Sequence, residues 1–190
     1  MTEQLSRGGR LQLSIIALVF FGPLILATWM YTTGRLTPAS STNSGALLDP
    51  VVNIGDALPE STALAATEAA WHLVYVNEGV CDDECTAALY RLRQVRLMLG
   101  NDMDRVDRLF LHGQSLPDKV LLDEQHRGLI TTSDRGLGKL LQERRPKALL
   151  PGGIFLVDPL SNLIMYFSPD IEPGDMVDDL KHLLELSRIG

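Results

Sequence analysis

Hydrophobic residues along this chain form one long uninterrupted run, followed by a series of short ones. The long run extends from Leu11 to Tyr31 without a charged residue. At a rise of about 1.5 Å per residue it would span roughly 31 Å as a helix, enough to cross the hydrocarbon core of a bilayer. Trp29 and Tyr31 lie at its end, where amphipathic rings favour the membrane interface. The pattern therefore predicts a transmembrane helix over residues 11–31, after a short N-terminal segment, 1–10.

A cleaved signal peptide is the competing interpretation of this run. Signal peptides have a shorter apolar core, of about 7–15 residues, followed by small residues at the cleavage site. Here the core is longer, and Ala27-Thr28-Trp29 makes a poor cleavage site. An uncleaved membrane anchor explains the run better.

The charges beside the run predict its orientation. Arg7 and Arg10 precede it, and after Arg35 no lysine or arginine occurs before Arg91. Positively charged flanks stay on the cytoplasmic side of a membrane, so the N-terminus should be cytoplasmic. The rest of the chain should lie outside the inner membrane, in the periplasm if the source is a Gram-negative bacterium.

A polar stretch separates the anchor from the short apolar runs. Residues 32–68 are rich in threonine, serine, proline, glycine and alanine, a composition typical of linkers. Within this stretch, residues 47–52 (LLDPVV) are apolar enough to dock on a folded domain. We expect a linker over residues 32–68 and a domain over residues 69–190.

Within residues 69–190 the short apolar runs alternate with helical patterns. Continuous apolar runs predict strands, whereas apolar residues three and four positions apart predict helices. These criteria give strands over residues 71–76, 106–111, 154–157 and 162–167, and helices over 86–99, 131–142 and 175–186. The order β-α-β-α-β-β-α, with a hairpin formed by the last two strands, is typical of a thioredoxin-like α/β fold. We therefore expect a central mixed sheet with helices on both faces.

Charge and cysteine content narrow the range of functions. The formal net charge is -7, which argues against nucleic-acid binding, because a nucleic-acid binder needs a basic surface. The chain has two cysteines, enough for one disulfide or one small two-thiol site.

The two cysteines, Cys81 and Cys85, lie where the first predicted strand leads into the first predicted helix. Their spacing would place both sulfurs one turn apart on a single helical face. Two thiolates so placed could bind a soft ion such as Cu(I) or close to a disulfide. The acidic residues between them (Asp82, Asp83 and Glu84) oppose thiolate formation, which favours a metal or slow redox chemistry over rapid exchange. A purely structural disulfide remains an alternative.

Histidines are the candidates for a further metal ligand. His112 follows the second predicted strand, at the expected sheet end of the thiols, and is the best third-ligand candidate. His72 should pack within the first strand and His182 should lie on the surface of the last helix. Nothing in the sequence determines the distance of His126 from the thiols.

The anchor, the C-x3-C pair after the first strand and the strand end Ile154-Phe155-Leu156-Val157-Asp158-Pro159 together resemble the SCO/SenC family. Those proteins are membrane-anchored, thioredoxin-like copper-binding proteins that help to assemble the copper centre of cytochrome c oxidase. The resemblance implies that Cys81 and Cys85 are ligand or redox positions. Counting back from Pro159 places Leu150 where the family has its copper-ligating histidine, so that ligand does not carry over. Pro151 would occupy the place of the cis-proline that faces the thiols.

Three functions follow from these observations. The first is an accessory factor for cytochrome c oxidase assembly that handles copper or thiol redox state, with an oxidase subunit or another assembly factor as its partner. The second is a general periplasmic thiol–disulfide oxidoreductase. The third is a non-catalytic, membrane-tethered binding module whose disulfide is structural. We expect an assembly factor rather than an enzyme.

Overall fold

A computed structural model describes residues 7–32, 43–64, 70–113 and 118–187, in two compact units, Met1–Thr42 and Asn43–Gly190. The described part of the first unit is helix α1 (Arg7–Thr32). Its stretch Gln12–Met30 is 19 residues long and, by length and composition, is a candidate membrane span. The apolar side chains of this stretch are exposed, as expected for a helix that lipid would cover. Most of the predicted segment 1–10 and residues 33–42 and 65–68 of the predicted linker lie outside the described residues.

The second unit contains six strands and five α-helices in the described part of the chain. In chain order they are β1 (Ala46–Asn53), α2 (Ile54–Ala57), β2 (Trp71–Asn77), α3 (Asp83–Met98), β3 (Val106–His112), α4 (Lys119–Gln125), β4 (Leu129–Thr132), α5 (Arg135–Arg144), β5 (Ile154–Val157), β6 (Asn162–Phe167) and α6 (Pro173–Leu186). A short 3₁₀ helix, Gly100–Arg105, connects α3 to β3.

All six strands belong to one mixed sheet, in the order β1-β6-β5-β2-β3-β4. Strands β2, β3 and β4 are parallel, whereas β5 and β6 form the predicted antiparallel hairpin and β1 pairs antiparallel with β6. The central position of β2 explains its continuous apolar sequence, because a strand covered on both faces needs no polar side.

Helices cover both faces of this sheet. On one face, α3 and α6 pack against alternate residues of the strands, including Leu73, Phe110 and Leu156. On the other face, Leu137 and Leu141 of α5 pack in a second cluster with the intervening strand residues. The structure thus confirms the predicted thioredoxin-like α/β fold with a central mixed sheet and helices on both faces.

The region between β3 and β5 differs from the sequence-based expectation. The predicted helix over 131–142 is wrong at its start, because Thr131 and Thr132 belong to β4, which pairs with β3. The helix begins at Arg135, since the Asp134 side chain accepts a hydrogen bond of 2.9 Å from the Leu137 N–H and so caps the helix. Helix α4 was not predicted from the sequence, because the apolar residues of this stretch do not follow a clear helical spacing.

The edge strand β1 lies within the segment expected to be a linker. The apolar residues 47–52 dock on the domain by adding β1 beside β6. Pro50 is compatible with this position because an edge strand leaves some N–H groups outside the ladder. At the start of the strand, the buried Asp179 carboxylate of α6 accepts hydrogen bonds from the N–H groups of Ser44 (3.2 Å) and Gly45 (2.7 Å). The folded unit therefore begins near residue 43.

Two buried histidines predict how stability depends on pH. Burial lowers the pKa of His72, and Asp107 partly offsets this effect. The pKa of His126 is lowered mainly by burial and, to a smaller extent, by the positive charges of Arg108 and Arg93. Below the ordinary histidine pKa of about 6.5 the unfolded chain therefore binds more protons than the folded one. The free energy of unfolding should be highest above this pH and fall as the pH is lowered towards 5.

Urea unfolding of the full chain in detergent, at pH 7.5 and at pH 5, measures this effect. His72→Gln and His126→Gln should each show a smaller decrease between the two pH values than the unsubstituted chain. His182→Gln, which changes an exposed histidine of α6, is the control and should leave the decrease unchanged. An identical decrease in all four proteins would contradict the assignment.

Candidate functional site

The two cysteines lie at the junction between β2 and α3. They form a disulfide, with their Cα atoms 5.1 Å apart. Cys81 precedes the helix rather than lying on it, because Asp82 is the N-cap and its side chain accepts a hydrogen bond of 3.0 Å from the Cys85 N–H. The expectation that both residues lie on one helical face is therefore corrected for Cys81. The two sulfurs nevertheless meet.

The two cysteines differ in their exposure. Cys85 is 1% exposed and belongs to the buried face of α3, which continues through Ala88, Leu92 and Val95 as expected. Cys81 is half-buried and packs against the edge of the same cluster. Cys81 is therefore the more accessible of the two cysteines, whereas Cys85 is covered by the core.

Negative charge surrounds the disulfide. Asp82, Asp83 and Glu84 are exposed at the first turn of α3. Their negative charge also affects Tyr75, a buried residue of β2. The pKa of the Tyr75 hydroxyl is raised to about 12, mainly by burial and to a smaller extent by the charges of Asp82 and Glu84. The site therefore disfavours any additional anion, as the sequence led us to expect for the thiolates.

A groove of about 680 Å³ runs beside the disulfide loop. Its walls include Gly79 and Asp82 on one side and, on the other, residues of α5 and of the loop before β5. Its charged lining residues are Glu78, Asp82, Glu84, Glu143 and Lys139. Since Lys139 already pairs with Glu143 at 3.8 Å, the groove is acidic and would favour a basic segment of a partner.

His112 occupies the last position of β3, beside Asn77 of β2. Its Nδ1 is 3.0 Å from the carbonyl oxygen of Gly113. It lines a neighbouring pocket of about 610 Å³, and neither this pocket nor the groove has a cysteine among its lining residues. Over the described ranges no three His, Cys, Asp or Glu side chains form a group that could hold a metal ion. The structure therefore does not bring His112 together with Cys81 and Cys85 as a ligand set.

The loop before β5 contains the positions at which copper ligation and a cis-proline were considered. The peptide bond before Pro151 is trans; the cis peptide bond in the described part of the chain is Asp49-Pro50. The sequence left the isomer of this bond open, and Pro151 is not a cis-proline, although it does line the groove. Leu150 is exposed. Tyr166 fixes this loop by donating a hydrogen bond to the Leu150 carbonyl and accepting one of 2.9 Å from the Gly153 N–H.

Copper is implied by the predicted family resemblance, and for it this site offers the two cysteine sulfurs alone among the described residues. Both sulfurs are engaged in the disulfide, and Cu(I) requires thiolates. Opening the disulfide would provide two sulfur donors, and no third donor is grouped with them among the residues that the structure describes. The arrangement is that of a dithiol–disulfide pair, whose reduced form could hold a soft ion between two thiolates.

Several residues of the site were not identified from the sequence. Tyr75 could have been found, because strand alternation places it on the same face of the sheet as Leu73, towards α3. Glu143 and Lys139 depend on where α5 lies relative to the loop before β5, for which the sequence carries no signal.

Removing the negative charge beside Cys81 should change the rate at which the reduced cysteines react. The Asp83→Asn/Glu84→Gln variant, in its reduced form, should react with an uncharged chromogenic disulfide about two- to tenfold faster at pH 7, because the thiolate becomes more favourable. Stopped-flow absorbance measures the rate. The control Glu60→Gln/Glu185→Gln removes the same charge from exposed positions outside the groove and should leave the rate unchanged. Equal rates in all three proteins would contradict the electrostatic argument.

Solved structures with a similar fold include two Sco proteins with copper bound. Yeast Sco1 matches with a TM-score of 0.51 and 16% identity, over 63% of this chain and 81% of that one. ScoI of Arabidopsis thaliana matches with a TM-score of 0.50 and 14% identity, over 65% and 89% of the two chains. The thioredoxin domain of a thiol-disulfide oxidoreductase from Bacteroides vulgatus matches with a TM-score of 0.45 and 12% identity, over 76% and 99%. The predicted SCO-like resemblance is thus confirmed at the level of the fold.

Family models cover both parts of the chain. The model described as "Transmembrane-like, N-terminal domain" matches residues 4–34, in agreement with a single-pass membrane anchor. The model described as "Transmembrane-like, thioredoxin-like, C-terminal domain" matches residues 71–187, more than half of the chain. No curated protein matches significantly. The chain therefore belongs to the family of transmembrane-like proteins with a thioredoxin-like C-terminal domain.

Proposed function

We propose that this protein is a membrane-anchored thiol–disulfide exchange factor that reduces a client disulfide during cytochrome c oxidase assembly. The observation that carries the proposal is the asymmetric disulfide, with Cys81 approachable and Cys85 buried at the start of α3. The arginines before α1 support a cytoplasmic N-terminus and a periplasmic domain. An oxidising compartment is where such a disulfide persists.

The exchange proceeds in two displacements. In the reduced protein the Cys81 thiolate attacks one sulfur of the client disulfide, and the other client sulfur leaves as a thiolate. The Cys85 thiolate then attacks the Cys81 sulfur, which breaks the mixed disulfide and releases the second client thiolate. Two electrons pass to the client, whose thiolates take up protons from water, and the Cys81–Cys85 disulfide is the product. A dithiol protein of the same compartment must reduce it again.

The acidic surroundings support the reducing direction. Strong dithiol oxidants owe their high reduction potential to a stabilised thiolate in the reduced form. Asp82, Asp83 and Glu84 remove such stabilisation here, so the pair should donate electrons readily. The acidic groove would also favour a client whose cysteines are flanked by lysine or arginine. A cysteine pair of an oxidase subunit, or of another assembly factor, is the client that the SCO-like fold suggests.

The reduction potential of the Cys81–Cys85 pair tests the proposal. The full chain in detergent is equilibrated with graded thiol–disulfide buffers, and its thiols are counted by alkylation and mass spectrometry. We expect a value near that of thioredoxin, about -270 mV. A value well below about -300 mV would indicate a structural disulfide, and a value near about -120 mV would indicate an oxidant.

Anaerobic Cu(I) titration separates thiol exchange from copper handling. The reduced full chain is compared with Cys81→Ser/Cys85→Ser in competition with a Cu(I) chelator of known affinity. Since no third donor is grouped with the cysteines in the described part of the chain, we expect weaker binding than a site with three donors would give. Tight binding of one Cu(I) that requires both cysteines would contradict a function confined to thiol exchange and favour copper delivery.

A further inference from the structure

Arg108 is a buried cation in the middle of the sheet. It lies on β3 between Val106 and Phe110, on the face that α3 covers, and the whole residue is 3% exposed. Its Nη2 donates a hydrogen bond of 2.6 Å to the Arg127 carbonyl. Its Nε and Nη1 are buried and have no hydrogen-bond partner within the described ranges. Two nitrogen atoms of one guanidinium are therefore left without an acceptor among the described residues.

No carboxylate among the described residues forms an ion pair with Arg108. The ion pairs found among the described residues do not include Arg108 or Arg93. The pKa of Arg108 is lowered mainly by burial and, to a smaller extent, by the positive charges of Arg96 and Arg93. The negative charge of Asp107 offsets only part of this effect. A buried charge without a partner is strongly destabilising, so this arrangement calls for an anion from outside the chain.

Arg108 lines a pocket beside its buried guanidinium. The pocket has a volume of about 330 Å³ and lies between α3 and the segment that joins α4 to β4. It is lined by Arg93, Arg96, Leu97, Arg108, Glu124, Gln125 and Arg127. Four arginines thus face one glutamate, in a chain whose net charge is -7. Among the ion pairs that the described residues form, one involves a lining arginine, since the Nη2 of Arg96 lies 3.4 Å from Asp104.

We propose that this pocket binds a phosphate group, with Arg108 at its base and Arg93 and Arg127 at its rim. Several guanidinium groups around one small cavity suit a compact, multiply charged oxyanion better than a single carboxylate. The phosphate group could be carried by a free small molecule or by a lipid headgroup. The pocket shares no lining residue with the acidic groove beside the disulfide, so this site is separate from the proposed thiol exchange.

Titration calorimetry of the full chain in an uncharged detergent tests the site. Inorganic phosphate is one probe and a short-chain phosphatidic acid is the other, at low chloride and pH 7.5. We expect saturable binding of at least one probe, with the tighter one identifying the source of the phosphate. Succinate, a dicarboxylate, should bind at least tenfold more weakly. Failure of both probes to bind below millimolar concentration, or equal binding of succinate, would overturn the proposal.

Variants locate the binding within the pocket. Arg108→Met should weaken phosphate binding at least tenfold and, because it removes an uncompensated buried charge, raise the melting temperature in phosphate-free buffer. Arg93→Gln should weaken binding about threefold or more, and Glu124→Gln should strengthen it. Arg144→Gln, an exposed position outside the pocket, is the matched control. Unchanged affinity in both Arg108→Met and Arg93→Gln would overturn the assignment.

The reduction potential of the Cys81–Cys85 pair keeps the two proposals distinguishable. Arg108→Met should leave this potential unchanged, whether or not phosphate is present. If neither phosphate probe binds, only the proposed anion site is overturned. If the reduction potential differs from the expected value, only the proposed thiol exchange is overturned.

Discussion

Cells that express the Cys85→Ser variant are expected to accumulate a covalent complex between Cys81 and its client. Attack by Cys81 on the client disulfide still forms the mixed disulfide, but the buried thiolate that would resolve it is absent. Cys81→Ser should form little or no complex, because Cys85 is only 1% exposed. Non-reducing electrophoresis after acid quenching and alkylation, followed by mass spectrometry, should reveal at least tenfold more adduct with Cys85→Ser than with Cys81→Ser.

The Cys81→Ser/Cys85→Ser variant is the control for this experiment. It also tests the alternative of a structural disulfide, which would contribute about 2 kcal/mol for so short a loop. If both single variants fail to form an adduct and the double variant still supports oxidase assembly, the disulfide is structural and the cysteines are not a redox pair. Adducts formed with many unrelated clients would instead favour the general oxidoreductase.

Asp179→Ala is expected to destabilise the domain by about 3 kcal/mol. The Asp179 carboxylate is buried and accepts two backbone hydrogen bonds, from Ser44 and Gly45. Hydrogen bonds to a charged group are stronger than neutral ones, and their loss leaves the buried Gly45 N–H without its acceptor. Since these residues precede β1, the edge strand should detach first. Urea unfolding of the full chain in detergent measures the loss of stability, and amide hydrogen exchange over Ala46–Asn53 should show lost protection.

Two substitutions test this interpretation. Asp179→Asn retains one acceptor oxygen and should cost only about 1 kcal/mol. Asp178→Ala removes an exposed carboxylate next to it in α6 and should change stability by less than about 0.5 kcal/mol. Normal protection of β1 in Asp179→Ala would show that the strand is held by its pairing with β6 alone.

The elements that the sequence predicted well are those whose signal is local. The run Trp71–Val76 is apolar at nearly every position because β2 is central and covered on both faces. The core-facing side of α3 follows from the spacing of Ala88, Leu92 and Val95, and the Asp82 cap explains where the helix begins. The approach of Cys81 to Cys85 follows from their short separation in the chain.

The features that the sequence did not predict depend on contacts between distant segments. Strand β1 exists because it pairs with β6, more than 100 residues later in the chain, and Thr131 is in a strand because β3 lies beside it. The sequence placed His112 at the end of its strand, but the loops packed around it decide its separation from the thiols. Arg108 looks like any polar residue in a strand until α3 covers it.

The sequence by itself therefore determined the membrane helix, the order of most strands and helices, and the position of the thiol pair before α3. Each of these depends on hydrophobic periodicity or on residues within one helical turn. Only the tertiary structure decided that Cys85 is covered while Cys81 is approachable, that Asp179 holds the start of β1, and that Arg108 is buried without an acid. Those outcomes depend on which remote segments pack together, because burial and charge compensation are properties of the assembled fold and not of any single segment.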